Sequence, residues 1–306
     1  MHLLEQLCAI HAPSGDESAM TQFILQYIES HQSRWKKQPT VYAGKGFQDN
    51  IIVVFGKPTT SVWAHIDSVG YTVAYDNHLH PIGAPYATHG TPLVGKDNKG
   101  EIAAALEVEE PEDGRIRTVH FNRTIERGTT LTYAPNFNGE GSYLTSPYLD
   151  NRLGCYVTLR LMEKAENAVF VFSTWEEHGG GSVPYLAKFI YEKWEVTQAL
   201  IADITWVTEG VEAGKGVALS LRDKMVPRKS FTDKIVSLAK ASGIPFQLEV
   251  EGAGASDGRE LQLGAQPWDW MFIGAPESNA HTPQEKVHKE DIKSMLAMYE
   301  YLLNHL

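Results

Sequence analysis

The sequence predicts an α/β fold: a mixed central sheet covered by helices, with a small all-β domain set into it. Three observations predict this. Several continuous apolar runs read as strands buried on both faces, amphipathic helical segments alternate with them, and one long interval carries only short alternating stretches between turns. Continuous apolar runs suit strands flanked by helices, and alternation of strand with helix implies an α/β sheet. At 306 residues, 42% hydrophobic and 21% charged, the chain is long enough for one large core or two unequal domains.

In chain order, residues 18–30 (SAMTQFILQYIES) place apolar side chains at helical spacing. Strands follow at residues 50–56 (NIIVVFG) and 61–67 (SVWAHID). Residues 71–147 then change character. The stretches IAAALEVE, RIRTVHFN and TTLTYAP are separated by the turn signals GKDNKGE, PEDG, ERGT and FNGEG, without a helical pattern. Helix returns at 153–165, strand at 168–175 (AVFVFSTW), helix at 183–194, strand at 199–205 (ALIADIT), helix at 231–242, strand at 269–275 (DWMFIGA) and helix at 289–303. The organisation is therefore 1–70 as the first part of the α/β domain, 71–147 as an inserted β domain, and 148–306 as the second part.

Charge and cysteine content exclude several classes. With 27 Lys+Arg against 38 Asp+Glu, the net charge is -11 and no basic block exists, which argues against nucleic acid or anionic membranes as partners. The two cysteines, Cys8 and Cys155, form no CxxC, so neither a disulfide framework nor a thiolate zinc site is expected, and reduced thiols in the cytoplasm are the plain reading. The opening carries Glu5 and lacks a basic region before a long apolar core, so it does not read as a signal peptide. No apolar run is long enough to span a bilayer.

The strand of residues 168–175 ends in Glu176, Glu177, His178 and three glycines. Buried carboxylates are costly unless paired or bound to a cation, so this ending needs partners. In strand geometry the two glutamates would point to opposite faces. Other strand and loop ends offer compatible groups: His65 and Asp67 in AHID, Asp150 in LDNRLG, Asp203 in ADIT, and His281 in AHTP. Imidazole and carboxylate without thiolate form a ligand set for zinc or a similar divalent ion. Ligands in open α/β sheets gather beyond the carboxyl ends of strands, so one cluster could hold all of these groups. Two cations sharing a carboxylate would use His65, Asp150, Glu177, Asp203 and His281, leaving Glu176 as a base. Taken singly, Asp150 could be a helix N-cap and EEHGGG a helix start; Asp203 in its apolar run is harder to explain that way.

These motifs, in this order, resemble the TET-type and glutamyl aminopeptidases of family M42, cytoplasmic co-catalytic dizinc exopeptidases. The likeness runs from LLEQLCAIHAPSGDES to HTPQEKVHKEDI, with AHID, LDNRLG, WEEHGG, ADIT and AHTP similar to successive family motifs. The early insert, between His65 and Asp150, also favours this family over relatives whose lid follows the glutamate pair. The resemblance implies a zinc-exopeptidase-like sheet and two divalent metal ions per chain, zinc, with cobalt or manganese as alternatives. One ion would be held by His65 and Asp203 and the other by Glu177 and His281, with Asp150 bridging. Glu176 would be the general base acting on a water between the ions, and Asp67 would orient His65. The implied function is removal of N-terminal residues from peptides with a free N-terminus, by a homo-oligomer. Alternatives are a deacylase or dipeptidase on the same site, a two-carboxylate glycoside hydrolase using Glu176 and Asp150, and an inactive metal-binding scaffold. The segment HGGGSVP departs from the family pattern after the glutamate pair, and the turn GAGASDGRE is similar to one near the family's substrate pocket, with Asp257 read there as structural.

Overall fold

The computed structural model describes residues 1–110 and 116–306; the turn signal PEDG, at 111–114, lies outside the described residues. A ten-stranded sheet forms the body of the molecule. Its main path runs Thr40–Gly44, Gln48–Phe55, Ala168–Ser173, Ser61–His65, Gln198–Trp206, Asp269–Ser278, Val217–Ser220, Phe246–Glu249. The four strands from Ala168–Ser173 to Asp269–Ser278 along this path are mutually parallel, while Gln48–Phe55 and Val217–Ser220 join them antiparallel. The sheet is thus mixed, as the sequence predicts. Tyr143–Ser146 lies within the interval 71–147, yet it pairs with Glu285–His288 and so belongs to this large sheet.

Alternating residues of the central strands feed two separate cores. Ile51, Val53 and Phe55 face one layer with the helices Ser18–His31, Leu149–Met162, Lys229–Ser242 and Lys289–Leu303; Ile52 and Val54 face the other with Val183–Trp194 and Asp257–Leu263. Period-two alternation thus gives an apolar side chain to each face. Each fully buried large side chain contributes about 1.5–3 kcal/mol. The four parallel strands run in one direction, so their carboxyl ends, at His65, Ser173, Trp206 and Ser278, open on one edge of the sheet.

A second, six-stranded sheet is antiparallel throughout, in the order Leu79–Ile82, Gly70–Val73, Thr130–Tyr133, Pro92–Asp97, Gly100–Glu109, Ile116–His120. A bridge between His78 and Thr118 links its two ends, so it is nearly a closed barrel around Tyr71, Leu93, Leu106, Leu131 and Tyr133. Closure removes exposed strand edges. Among the described residues no helix is long and apolar enough to cross a membrane.

Candidate metal centre

His65 is the last residue of its strand and pairs in register with Ser173. Asp203 lies on the next strand, opposite Gly274. Both side chains therefore stand at the carboxyl edge of the sheet, and both are buried. The strand expected over 168–175 stops at Ser173. Trp175 takes a left-handed conformation, φ 64°, which a bulky residue adopts only when its surroundings enforce it. The turn changes the fate of the glutamates: they leave strand geometry and line the same cavity instead of facing opposite ways. Two further left-handed residues, Tyr148 and His281, aim Asp150 and the last imidazole.

Two overlapping groups result. His65, Asp150 and Asp203 offer ligand atoms within 4.8 Å of one another, and so do Asp150, Glu177 and His281. Asp150 belongs to both. Its Oδ1 is 3.2 Å from His65 Nε2 and its Oδ2 is 3.2 Å from His281 Nε2. Glu177 Oε2 is 3.2 Å from the same His281 nitrogen, and Asp203 Oδ2 is 3.6 Å from His65 Nε2. Glu176 lines the cavity without belonging to either group.

The surroundings fix this geometry. Asp67 accepts the Ser14 hydroxyl at 2.6 Å and the backbone N–H groups of both Glu176 and Glu177 at 3.1 Å, and its Oδ1 lies 3.5 Å from His65 Nδ1. Glu285 accepts the N–H of Asp150 at 3.1 Å and that of His281 at 3.0 Å. His281 Nδ1 lies 3.2 Å from the Ala84 carbonyl, which assigns a proton to Nδ1 and turns the Nε2 edge toward Asp150 and Glu177. Arg152, fully buried, donates to the carbonyls of Ile66 and Asp67. Glu285, Arg152 and Glu17, whose carboxylate accepts the Trp175 N–H at 3.3 Å, went unread in the sequence. All three lie inside the quoted motifs, in LDNRLG, HTPQEKVHKEDI and LLEQLCAIHAPSGDES, but nothing there marks their partners. His178 does not line this cavity; its Nδ1 accepts the Gly83 N–H at 3.0 Å. Asp257 accepts the Ser173 hydroxyl and supports the strand end.

The donor set suits a divalent cation. Burial, with neighbouring acids adding to it, pushes the Glu176 and Asp203 carboxyls well above their ordinary range and Glu177 up to about 8. Buried Glu177 Oε1 has no hydrogen-bond partner. Crowded carboxylates with an orphaned oxygen and imidazole nitrogens facing them fit metal ligation, and among the described residues no lysine or arginine lines the cavity to neutralise them.

Fold and site together define an α/β protein with a candidate dinuclear centre at the carboxyl edge of a mixed sheet. The profile of the M42 glutamyl aminopeptidase family matches residues 119–298, and the chain belongs to that family. It is accordingly a peptidase, a hydrolase of the aminopeptidase type. The chain is 24% identical to a protein of Acetivibrio thermocellus provisionally named an aminopeptidase, over 97% of this chain and 96% of that one. Its fold is similar to that of an aminopeptidase from the archaeon Desulfurococcus kamchatkensis, with TM-score 0.86 and 19% identity, covering 100% of this chain and 94% of the other. A TET peptidase of Pyrococcus horikoshii, which can assemble into a tetrahedron or a large octahedral shell, matches with TM-score 0.81 and 19% identity over 99% and 98%.

Proposed function

We propose that the protein is a dinuclear metal-dependent aminopeptidase that removes N-terminal residues from peptides with a free N-terminus. The observation that carries this reading is Asp150, whose two oxygens face two different imidazoles and so tie the two ligand groups together. His65 and Asp203 would hold one ion and Glu177 and His281 the other, with Asp150 available to both. Zinc, cobalt or manganese bound there supplies Lewis acidity toward the scissile carbonyl and lowers the pKa of water. Glu176 takes a proton onto its carboxylate from the attacking water and gives it to the departing amine nitrogen. Burial makes this carboxylate a stronger base than a free glutamate. Asp67 keeps Glu176 and Glu177 in place through their backbone N–H groups and orients His65.

In this reading residues 1–70 and 148–306 form the catalytic domain and 71–147 the inserted domain, whose last strand returns to the catalytic sheet. The assembly of the Pyrococcus relative supports a homo-oligomer, and two free, buried cysteines are consistent with the cytoplasm. The test is metal content together with hydrolysis of aminoacyl chromogenic substrates, before and after chelation and re-addition of zinc or cobalt. About two ions per chain, with chelator-sensitive release of one N-terminal residue, are expected. Two ions without aminoacyl hydrolysis would move the function to a deacylase or dipeptidase. Activity that survives complete chelation would remove the metal mechanism, as would be the case for a two-carboxylate glycosidase.

A further inference from the structure

The cavity containing the candidate metal centre, about 170 Å3, has a second wall that the ligands do not use. Ser220, Asp223, Glu249 and Glu251 line it, together with Trp206 and Phe272. Its place relative to the centre follows from strand geometry. Asp203 and Thr205 are two residues apart on one strand, hence on one face and about 7 Å apart. The Thr205 hydroxyl donates to Glu249 Oε1, so the acidic wall begins about one pleat repeat beyond Asp203. That is the reach of an extended long side chain from a peptide whose carbonyl lies at the centre.

Like charges crowd this wall. Glu249 is 3% exposed, and the nearby charges acting on it are the carboxylates of Glu251 and Asp223, both repulsive. Its side chain accepts the Thr205 hydroxyl, while the Ser220 hydroxyl donates to the Arg222 carbonyl. Asp223 is 8% exposed and accepts the Met225 N–H on Oδ1. Arg222 is the neighbouring cation that acts on Asp223, while its Nε donates to the backbone carbonyls of Asp223 and Glu251. Among the described residues no lysine or arginine lines the cavity. Mutually repelling carboxylates held out of water cost free energy that an entering cation would recover.

We infer that this wall receives the side chain of the substrate's N-terminal residue and selects a cationic one, lysine or arginine, over glutamate. The inference rests on the aminopeptidase reading of the adjacent centre. Trp206 and Phe272 offer apolar surface to the methylene stem while the charged head meets Asp223, Glu249 and Glu251. A glutamyl side chain would meet three like charges, and a leucyl side chain would cover them without pairing them. The pocket therefore opposes the residue from which the family takes its name.

The test measures turnover and binding separately on the metal-loaded protein. Lysyl, arginyl, leucyl and glutamyl p-nitroanilides give the order of kcat/KM, and calorimetry gives the affinities of lysinamide, leucinamide and the α-amide of glutamate. The lysyl or arginyl substrate is expected to exceed the glutamyl one by about 100-fold in kcat/KM, and lysinamide to bind at least about tenfold tighter than the glutamate amide. Glu251→Gln and Asp223→Asn are each expected to lower the lysyl-to-leucyl ratio by about threefold to tenfold, chiefly through KM. Glu251 is half-buried on a loop, so its replacement leaves the core intact, and Glu251→Arg is expected to shift preference toward the glutamyl substrate. Turnover that favours leucyl or glutamyl substrates overturns the inference and leaves the aminopeptidase standing. No turnover of any of the four sinks the aminopeptidase; the order of amide binding then decides the pocket's selectivity by itself, and equal or reversed affinities overturn it.

Discussion

Asp67 sets more of the site's geometry than its place two residues after His65 suggests. One carboxylate collects the Ser14 hydroxyl and the consecutive N–H groups of Glu176 and Glu177, so it fixes the turn that delivers both glutamates. An amide at this position keeps one accepting oxygen and loses the other. Asp67→Asn is therefore expected to lower kcat by about tenfold to hundredfold and to weaken metal retention, read by steady-state kinetics and by metal analysis after dialysis. Glu176→Gln should behave differently, because Glu176 lies outside both ligand groups. Two ions should remain while kcat falls by about 10²- to 10⁴-fold; unchanged turnover in the metal-loaded variant would remove the base assignment. The candidate ligands were legible in the sequence because their residue types are costly at the ends of apolar strands. Glu285 and the Asp67 contacts were not legible, because they depend on where the left-handed residues Trp175 and His281 turn the chain.

At the scale of elements, the helix Leu149–Met162 carries Asp150 and lies directly on the strand Gln198–Trp206 that carries Asp203. Gly154 permits the approach: a Cβ there would fall 2.1 Å from the Ala202 carbonyl and 2.3 Å from Asn151 Oδ1. Gly154→Ala must push helix from strand and is expected to cost about 1–3 kcal/mol in denaturant unfolding, with a loss of metal affinity as Asp150 moves from Asp203. A second element prediction concerns Glu17, at the start of the helix Ser18–His31. Burial, opposed by hydrogen bonds from Gly15 and Trp175, raises its pKa from 4.5 to about 7. The folded state thus holds its proton more tightly than the unfolded chain. Its contribution to stability is complete below pH 4.5 and is lost as pH rises through about 7. Glu17→Gln should unfold at higher temperature than the parent at pH 8, by on the order of 2 kcal/mol after allowance for partial solvent screening, and the difference should vanish near pH 4. A constant difference across that range would exclude Glu17 as its source. The long strands and helices were legible because apolar periodicity persists over many residues. Short segments such as Val217–Ser220, Phe246–Glu249 and the helix Asp257–Leu263 were not, since four to seven residues hold too little periodicity and owe their conformation to the sheet beside them.

Across the whole molecule, the two sheets meet at His281. The Ala84 carbonyl faces its Nδ1 at 3.2 Å, the Tyr86 N–H donates to its carbonyl at 2.9 Å, and the Tyr133 hydroxyl donates to the same carbonyl at 3.0 Å. All three partners lie in residues 71–147, as does Gly83, which donates to His178 in the glutamate turn. Residues of this interval thus position one half of the candidate centre, and among the described residues none of them belongs to either candidate ligand group. The candidate ligands, His65 on one side and Asp150 to His281 on the other of the 71–147 interval, come together across long loops only in the native state. Ions bound to that state and not to the unfolded chain must stabilise it by mass action, by about 2.7 kcal/mol per site at a free concentration 100 times Kd. Chelation is therefore expected to lower the calorimetric Tm by several degrees, and re-addition of zinc or cobalt to restore it. In Tyr133→Phe the carbonyl of His281 loses one donor. The stabilisation by metal should then shrink although every ligand is intact, because part of the binding free energy must hold the His281 loop in place. A Tm that ignores chelation in both proteins would show that the clustered carboxylates and imidazoles bind no ion in the folded state. A metal-dependent Tm unaffected by Tyr133→Phe would place the control of His281 within the large sheet alone.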